Sequence, residues 1–160
     1  MSQAHAPNET NTAIEGPQLK VTRTFNAPRE LVYKVWTEPE HLPHWWGPSG
    51  FTITTQAIDV KEGGRWRFVM HGPNGADYDN QIRYLEVVRP ERIVYAHGDG
   101  ESEDFRVTVT FAERGQQTDL TMVMTFPSVE ALEKTVREVG AIEGAKSTMD
   151  RLAAHLAETA

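Results

Sequence analysis

The sequence contains several strand-length segments in which apolar and polar residues alternate, and short turns separate these segments. The alternation is clearest over residues 66–70, 105–111 and 120–126. Glycine, proline, asparagine and other turn-forming residues mark the connections at residues 63–64, 72–75, 89–91, 98–100 and 114–115. Connections this short join only antiparallel neighbours, so the pattern predicts an antiparallel sheet with one apolar face.

A further strand and two short helices are predicted ahead of these segments. The strand covers residues 19–26, the first helix begins after Pro28, and the second ends at Gly47 and Pro48. Six strand-like segments follow them. Within residues 77–88 the apolar phase slips by one residue, which predicts a β-bulge that bends the sheet.

A helical pattern begins after Ser128, a plausible N-cap residue, and continues to the end of the chain. The apolar phase slips near Gly140, which leaves open either a kink or two consecutive helices. This stretch is the only large amphipathic element that can cover the apolar face of the sheet. The sequence therefore predicts an α+β fold, in which a curved antiparallel sheet of six or seven strands wraps around a long C-terminal helix.

Composition restricts the class of protein. Residues 1–17 lack apolar periodicity and are expected to form a flexible tail, which leaves one domain over residues 18–158. The formal net charge of -7 argues against a nucleic-acid partner. No apolar run is long enough to cross a membrane, and with no cysteine there are no disulfides or thiolate metal sites. We expect a cytoplasmic protein.

Five sequence motifs together resemble one family. They are Phe25-Asn26-Ala27-Pro28, Trp45-Trp46-Gly47, the run from Gly63 to Phe68, the run from Arg89 to Ile93, and Asp150-Arg151-Leu152. With these motifs, the stretch from about residue 19 to residue 156 is similar to the START-like, birch-pollen-allergen superfamily (SRPBCC), and within it to the activator of heat-shock-protein-90 ATPase homologue family. The resemblance implies a helix-grip fold with a hydrophobic cavity between sheet and helix. The sequence departs from the family at residues 141–144, where many members carry a Gly-Trp pair.

The predicted cavity identifies candidate ligand-binding residues. Polar side chains in the inward phase of the strands would orient a ligand that carries a carbonyl or hydroxyl group, and aromatic and methionine side chains would form an adaptable apolar wall. The candidates are Trp45, Trp46, Trp66, Phe68, Met70, Asn80, Tyr84, Tyr95, His97, Met122, Met124 and Met149. Ordinary core packing is the alternative explanation for each of them.

The sequence favours a non-catalytic ligand-binding protein, with no cofactor. No nucleophile with a neighbouring base and no phosphate-binding glycine loop is apparent. His41 and His44 have the spacing of a metal pair, but no third ligand follows them, so no metal site is predicted. Two alternatives remain open: a cyclase-like or dehydratase-like enzyme that transfers protons through His97, a tyrosine or an aspartate, and an interaction module that modulates a chaperone.

A chaperone and a second copy of the chain are the other partners considered from the sequence. The chaperone alternative is the less favoured one, because residues 1–17 are too few for the separate N-terminal domain of the eukaryotic ATPase activators. A homodimer through the outer face of the sheet is left open.

Overall fold

The computed structural model describes residues 9–98 and 103–159. Within these residues eight strands form a single antiparallel sheet. The strands are β1 (Asn11–Glu15), β2 (Gln18–Phe25), β3 (Thr52–Ile58), β4 (Arg65–His71), β5 (Asp77–Val88), β6 (Arg92–Gly98), β7 (Glu103–Arg114) and β8 (Gln117–Thr125). Their order in the sheet is β1-β2-β8-β7-β6-β5-β4-β3, so only β2 and β8 are neighbours that do not follow one another along the chain. The α+β class and the curved antiparallel sheet are confirmed, with more strands than the six or seven predicted.

Strand β1 corrects the expected flexible tail of residues 1–17. It pairs with β2 from Asn11 opposite Thr22 to Glu15 opposite Gln18, across a turn at Gly16. An edge strand is held by the backbone ladder, so it does not need the apolar alternation on which the prediction relied. Ile14, for example, is half exposed. The folded unit thus begins before residue 18, while residues 1–8 of the expected tail lie outside the described residues.

The segment between β2 and β3 contains one helix and one short turn. Helix α1 (Arg29–Thr37) begins after Pro28, as predicted. The second predicted helix is instead a three-residue 3-10 turn, Leu42–His44. Pro43 lies inside this turn and has no N–H group to continue a helical ladder, and Gly47 then turns the chain at a φ of 97°.

The C-terminal part of the chain forms two consecutive helices, α2 (Val129–Val139) and α3 (Ala141–Thr159). Ser128 is the N-cap of α2, because its Oγ accepts a hydrogen bond from the Ala131 amide at 3.0 Å. Gly140 separates the two helices in the left-handed conformation, with a φ of 66°. Of the helices in the described ranges, none is both long and apolar enough to cross a membrane.

The hydrophobic core lies between the apolar face of the sheet and the helices. In β4 the buried Trp66 and Phe68 alternate with exposed arginines, as the period-two pattern predicts. The predicted bulge in β5 is confirmed by a register shift between Tyr84 and Glu86. Met149, Leu152 and Leu156 form the buried side of α3.

Candidate ligand-binding pocket

A pocket of about 290 Å³ lies where the sheet, the segment after α1 and the two C-terminal helices meet. Its sheet wall comes from three neighbouring strands, β6, β7 and β8. Tyr95 and His97 contribute from β6, Phe105 from β7, and Met122 and Met124 from β8. These residues share one face because inward side chains alternate along each strand. The sheet therefore supplies an apolar surface that carries two polar groups.

The helical wall consists mainly of small side chains. Its members are Thr135 on α2 and Gly140, Ala141, Gly144, Ala145, Thr148 and Met149 at and after the break between the helices. Residues 141–144 are the place where the sequence departs from the Gly-Trp pair of many family members. Because Ala141 and Gly144 occupy little volume, this departure leaves room for the pocket.

Arg151 of α3 holds the third wall in place. This wall is formed by Trp36 on α1 and by residues 45–48. The guanidinium Nη1 donates to the carbonyl oxygens of Gly47 at 2.8 Å, Pro48 at 3.1 Å and Phe51 at 3.2 Å. One arginine thus satisfies several carbonyl groups of a loop that has no regular backbone ladder.

The tryptophans of the third wall pack against each other. Trp36 and Trp45 meet edge to face with ring centroids 4.8 Å apart, and Trp36 and Trp46 do so at 5.9 Å. Nε1 of Trp45 donates to the Val35 carbonyl at 3.1 Å, which fixes this ring. Trp46 also reaches Trp66 of the sheet, at 4.8 Å. The wall is therefore a rigid aromatic surface that joins α1 to the sheet.

Tyr95 places a hydroxyl group at the pocket. The side chain is 6% exposed, and within the described residues its hydroxyl has no hydrogen-bond partner. Burial raises the pKa of Tyr95 well above its ordinary value, and the neighbouring Tyr84 raises it further. The phenol therefore stays protonated at physiological pH and is available as a donor.

His97 lies between the pocket and a polar cleft of about 300 Å³ that also contains Asn80 and Asp104. Nδ2 of Asn80 donates to the Tyr78 carbonyl at 3.0 Å, which leaves its Oδ1 facing Nε2 of His97 at 2.9 Å. Nε2 therefore carries the proton. Nδ1 lies 3.5 Å from Oδ2 of Asp104, too far for a strong hydrogen bond. Burial lowers the pKa of His97 by more than Asp104 raises it, so the ring is neutral at pH 7.

The structure brings together part of the predicted ligand-binding set. Trp45, Trp46, Tyr95, His97, Met122, Met124 and Met149 line the pocket. Trp66, Phe68, Met70, Asn80 and Tyr84 do not. The alternation of apolar and polar residues shows which side chains of a strand face inward. It does not show which part of the inner face the helices leave uncovered.

The five other predicted residues lie outside the pocket, in the core, in the polar cleft or beside a smaller void. Trp66 and Phe68 stack on each other in the core, with ring centroids 4.0 Å apart. The Met70 methyl group packs so closely beneath Gly47 that a Cβ at that position would lie 2.7 Å from it. Asn80 is in the polar cleft, and Tyr84 lines a smaller void beside the pocket.

Sequence reasoning missed two features of this region. Trp36 lies on the first predicted helix and is absent from the candidate ligand-binding residues, although it lines the pocket. His155 on α3 meets the two histidines of the 3-10 turn: its Nε2 lies 2.9 Å from Nδ1 of His41, and its ring stacks on His44 with centroids 5.1 Å apart. Helical spacing on α3 places His155 one turn from Arg151, but no sequence signal indicates these partners more than 100 residues away.

This histidine cluster does not form a metal centre. Parallel rings such as those of His44 and His155 do not point their nitrogens at one common ion. Among the described residues, no group of three or more His, Asp or Glu side chains has an arrangement that could hold a metal.

The fold is closely similar to several solved bacterial proteins. Protein Ms6760 from Mycobacterium smegmatis is 29% identical, with a TM-score of 0.83 over 95% of this chain and 98% of that one. Protein CV1439 from Chromobacterium violaceum is 26% identical, with a TM-score of 0.76 over 88% and 96%. A protein from Arthrobacter aurescens is 23% identical, with a TM-score of 0.83 over 94% and 91%, and shows the likeness of fold alone. No curated protein matches the sequence.

The sequence also matches a protein family over most of its length. The match extends over residues 26–157, from the end of β2 almost to the end of α3, and so includes all three walls of the pocket. It agrees with the resemblance carried by the five motifs. The chain therefore belongs to the family described as Activator of Hsp90 ATPase homolog 1-like protein.

Proposed function

We propose that this protein binds a small hydrophobic molecule in the pocket between the sheet and the C-terminal helices. The observation that carries the proposal is the pocket of about 290 Å³, whose wall is predominantly aromatic, methionine and small apolar side chains. Ligand sites in proteins are typically concave, largely apolar and furnished with a few polar groups. Tyr95 and His97 are the polar groups of the sheet wall, and the Tyr95 hydroxyl is the one that would orient the ligand here.

The apolar contacts are assigned to the tryptophan wall and the methionines. Trp45 and Trp46 would hold one side of the ligand, and Met122, Met124 and Met149 the other. Thioether side chains adapt to ligands of different shape, because they are unbranched and polarisable. This composition favours a binding protein that accepts several related molecules.

Proton-transfer catalysis is a second candidate, and one observation favours it. His97 is neutral, lies on the pocket wall, and has Asp104 3.5 Å from its Nδ1. With its proton on Nε2, the ring keeps Nδ1 as its basic nitrogen, and a neutral imidazole is a common general base that would suit a reaction of the cyclase or dehydratase kind. Substitution His97→Gln distinguishes the two: a binding protein keeps most of its affinity, whereas an enzyme loses turnover by a factor of about 100 or more.

The test of the proposed function is native mass spectrometry of the purified protein, compared with its denatured mass. A reproducible hydrophobic adduct that is released on denaturation supports the proposal, and extraction identifies its chemical class. The second arm is a titration with lipids, steroids and polyketides. Three of the four tryptophans line the pocket, so their emission reports binding directly. Absence of an adduct together with absence of binding across the panel would overturn the proposal.

A further inference from the structure

We propose that the pocket selects uncharged ligands that carry a hydrogen-bond-accepting oxygen, such as a ketone, and rejects carboxylates. This inference rests on the proposed ligand-binding function and narrows it to one chemical class. Three features of the wall support it: the lack of a counter-charge, the engaged threonine hydroxyls, and the unpartnered hydroxyl of Tyr95.

The pocket offers no counter-charge to an ionised ligand. Among the described residues that line it there is no Asp, Glu, Lys or Arg. Arg151 lies behind the tryptophan wall, where its guanidinium is engaged by the carbonyl oxygens of Gly47, Pro48 and Phe51. A carboxylate that enters the pocket would lose its hydration without gaining an ion pair, which is strongly unfavourable.

His97 does not change this conclusion. Its Nε2 proton is donated to Oδ1 of Asn80 at 2.9 Å, so this donor is already used. Burial also lowers the pKa of the ring, which keeps it uncharged near neutral pH. The imidazole thus provides neither a cation nor a free N–H group for an anionic ligand.

The hydroxyl groups of the two threonines in the helical wall already donate their hydrogens to backbone carbonyls. Oγ1 of Thr135 donates to the Ala131 carbonyl at 2.9 Å, and Oγ1 of Thr148 donates to the Gly144 carbonyl at 2.9 Å. A hydroxyl group has one hydrogen, so each threonine can only accept a further bond. Neither can stabilise the oxygen atoms of a ligand.

Tyr95 is a donor that remains, beside Nε1 of Trp36, which is fully enclosed and also has no hydrogen-bond partner among the described residues. The Tyr95 side chain is buried at the pocket wall, and its hydroxyl has no hydrogen-bond partner among the described residues. A ligand that covers this hydroxyl without accepting from it leaves a donor unpaired, so a ligand oxygen that accepts from it is favoured. A neutral carbonyl supplies this acceptor without the desolvation cost of a charge.

The experiment compares three probes with the same ring system: 2-acetylnaphthalene, which is a ketone, 2-isopropenylnaphthalene, which replaces the carbonyl oxygen by a CH2 group, and 2-naphthoate, which is an anion. Isothermal titration calorimetry at pH 7.5 gives the three affinities for the full chain. We expect the ketone to bind at least about tenfold more tightly than the carboxylate. We expect it to bind about three- to tenfold more tightly than the alkene, as one neutral hydrogen bond provides.

The substitution Tyr95→Phe tests whether the Tyr95 hydroxyl is the group that donates to the ketone. It should abolish the advantage of the ketone over the alkene, and an advantage that persists in a folded Tyr95→Phe protein would contradict the role of Tyr95 as donor. Tyr84→Phe is the matched control, because Tyr84 lines the smaller void and not the pocket, and it should preserve the advantage. The comparison of the three probes on the unaltered protein remains informative even where a variant fails to fold.

Each other outcome contradicts a different statement. If 2-naphthoate binds as tightly as the ketone, the selection for uncharged ligands is wrong while the binding function stands. If the ketone and the alkene bind equally to the unaltered protein, the role of Tyr95 as donor is wrong. If none of the three probes binds, this inference fails, and the proposed function fails with it only if the native protein carries no adduct and the panel of lipids, steroids and polyketides shows no binding either.

Discussion

Nη1 of Arg151 lies 2.8 Å from the carbonyl oxygen of Gly47, so the last helix holds the loop that forms one wall of the pocket. The loop has little regular structure of its own between α1 and β3. Gly47 also has a φ of 97°, a conformation that residues with a Cβ rarely adopt. The shape of this wall therefore depends on a contact between residues that are far apart in the sequence.

Removal of the Arg151 guanidinium should destabilise the protein. The substitution Arg151→Met keeps much of the side-chain volume but leaves the carbonyls of Gly47 and Pro48 without their donor. Hydrogen bonds from charged groups contribute about 1.5–3 kcal/mol, so we expect the free energy of unfolding to fall by about 2–3 kcal/mol. Urea denaturation followed by circular dichroism measures this change.

The exposed Arg137 on α2 provides the matched control for this variant. Arg137→Met should change the free energy of unfolding by no more than about 0.5 kcal/mol, as is usual for surface positions. Equal stability of the Arg151 and Arg137 variants would contradict the role given to Arg151.

Asp150, the neighbour of Arg151, links the same helix to the sheet. Its Oδ1 accepts a hydrogen bond from Nη1 of Arg23 on β2 at 2.7 Å, and Arg23 is 4% exposed. Asp150→Asn keeps the shape but removes the charge that compensates a buried guanidinium. We expect a loss of about 1–2 kcal/mol, because Asp150 itself is largely exposed to solvent.

Glu143→Gln tests whether this effect is specific, since Glu143 is an exposed carboxylate on the same helix. Its thermal midpoint should be nearly that of the unaltered protein. A similar decrease in both variants would indicate a general charge effect on α3 and not an ion pair with Arg23.

Features that depend on local pattern could be predicted from the sequence. The alternation of Trp66 and Phe68 with polar neighbours sets the inner face of β4, because successive side chains of a strand point to opposite sides. The phase slip after Tyr84 predicts the bulge in β5 for the same reason. Strand β1 was not predicted, because its stability comes from pairing with β2 and not from an apolar pattern of its own.

The candidate site could be predicted only in part, since its shape depends on long-range packing. Tyr84 and Tyr95 are cross-strand neighbours on the same face of the sheet, yet only Tyr95 reaches the pocket. Tyr84 instead lines the smaller void together with Trp36 and Trp46. The contact of Arg151 with Gly47 and that of His155 with His41 likewise join segments that no local pattern connects.

Gly144 offers a direct test of the pocket. A Cβ at this position would lie 3.7 Å from Cγ of Pro48, an ordinary contact. Gly144→Ala should therefore be tolerated and should raise the free energy of unfolding by about 0.5–1 kcal/mol, since alanine favours a helix more than glycine does. Thermal unfolding measures this gain.

A larger side chain at the same position should block the ligand. Gly144→Phe places a ring in the pocket, and we expect affinity for 2-acetylnaphthalene to fall at least about tenfold, because the ring competes for space in a close-packed site. Gly144→Ala is the matched control and should retain most of the affinity. Unchanged binding by a folded Gly144→Phe protein would show that ligands bind elsewhere.

The cluster of His41, His44 and His155 should make stability depend on pH. Burial and the two neighbouring imidazoles lower the pKa of His155 by more than Glu158 raises it. The unfolded chain therefore takes up a proton on His155 more readily than the folded protein does. The contribution of His155 to stability is fully present above its ordinary pKa of about 6.5 and is lost as the pH falls below that value.

The variant His155→Gln isolates this effect. The decrease in thermal midpoint between pH 7 and pH 5 should be smaller in the variant than in the unaltered protein, although the variant itself is less stable at pH 7. His44→Gln removes only one of the causes of the lowered pKa, so its pH dependence should be intermediate. Glu38 is a carboxylate that faces the cluster, with Oε1 3.8 Å from Nε2 of His41. If all three proteins lose stability in parallel as the pH falls, carboxylates elsewhere and not this cluster are responsible.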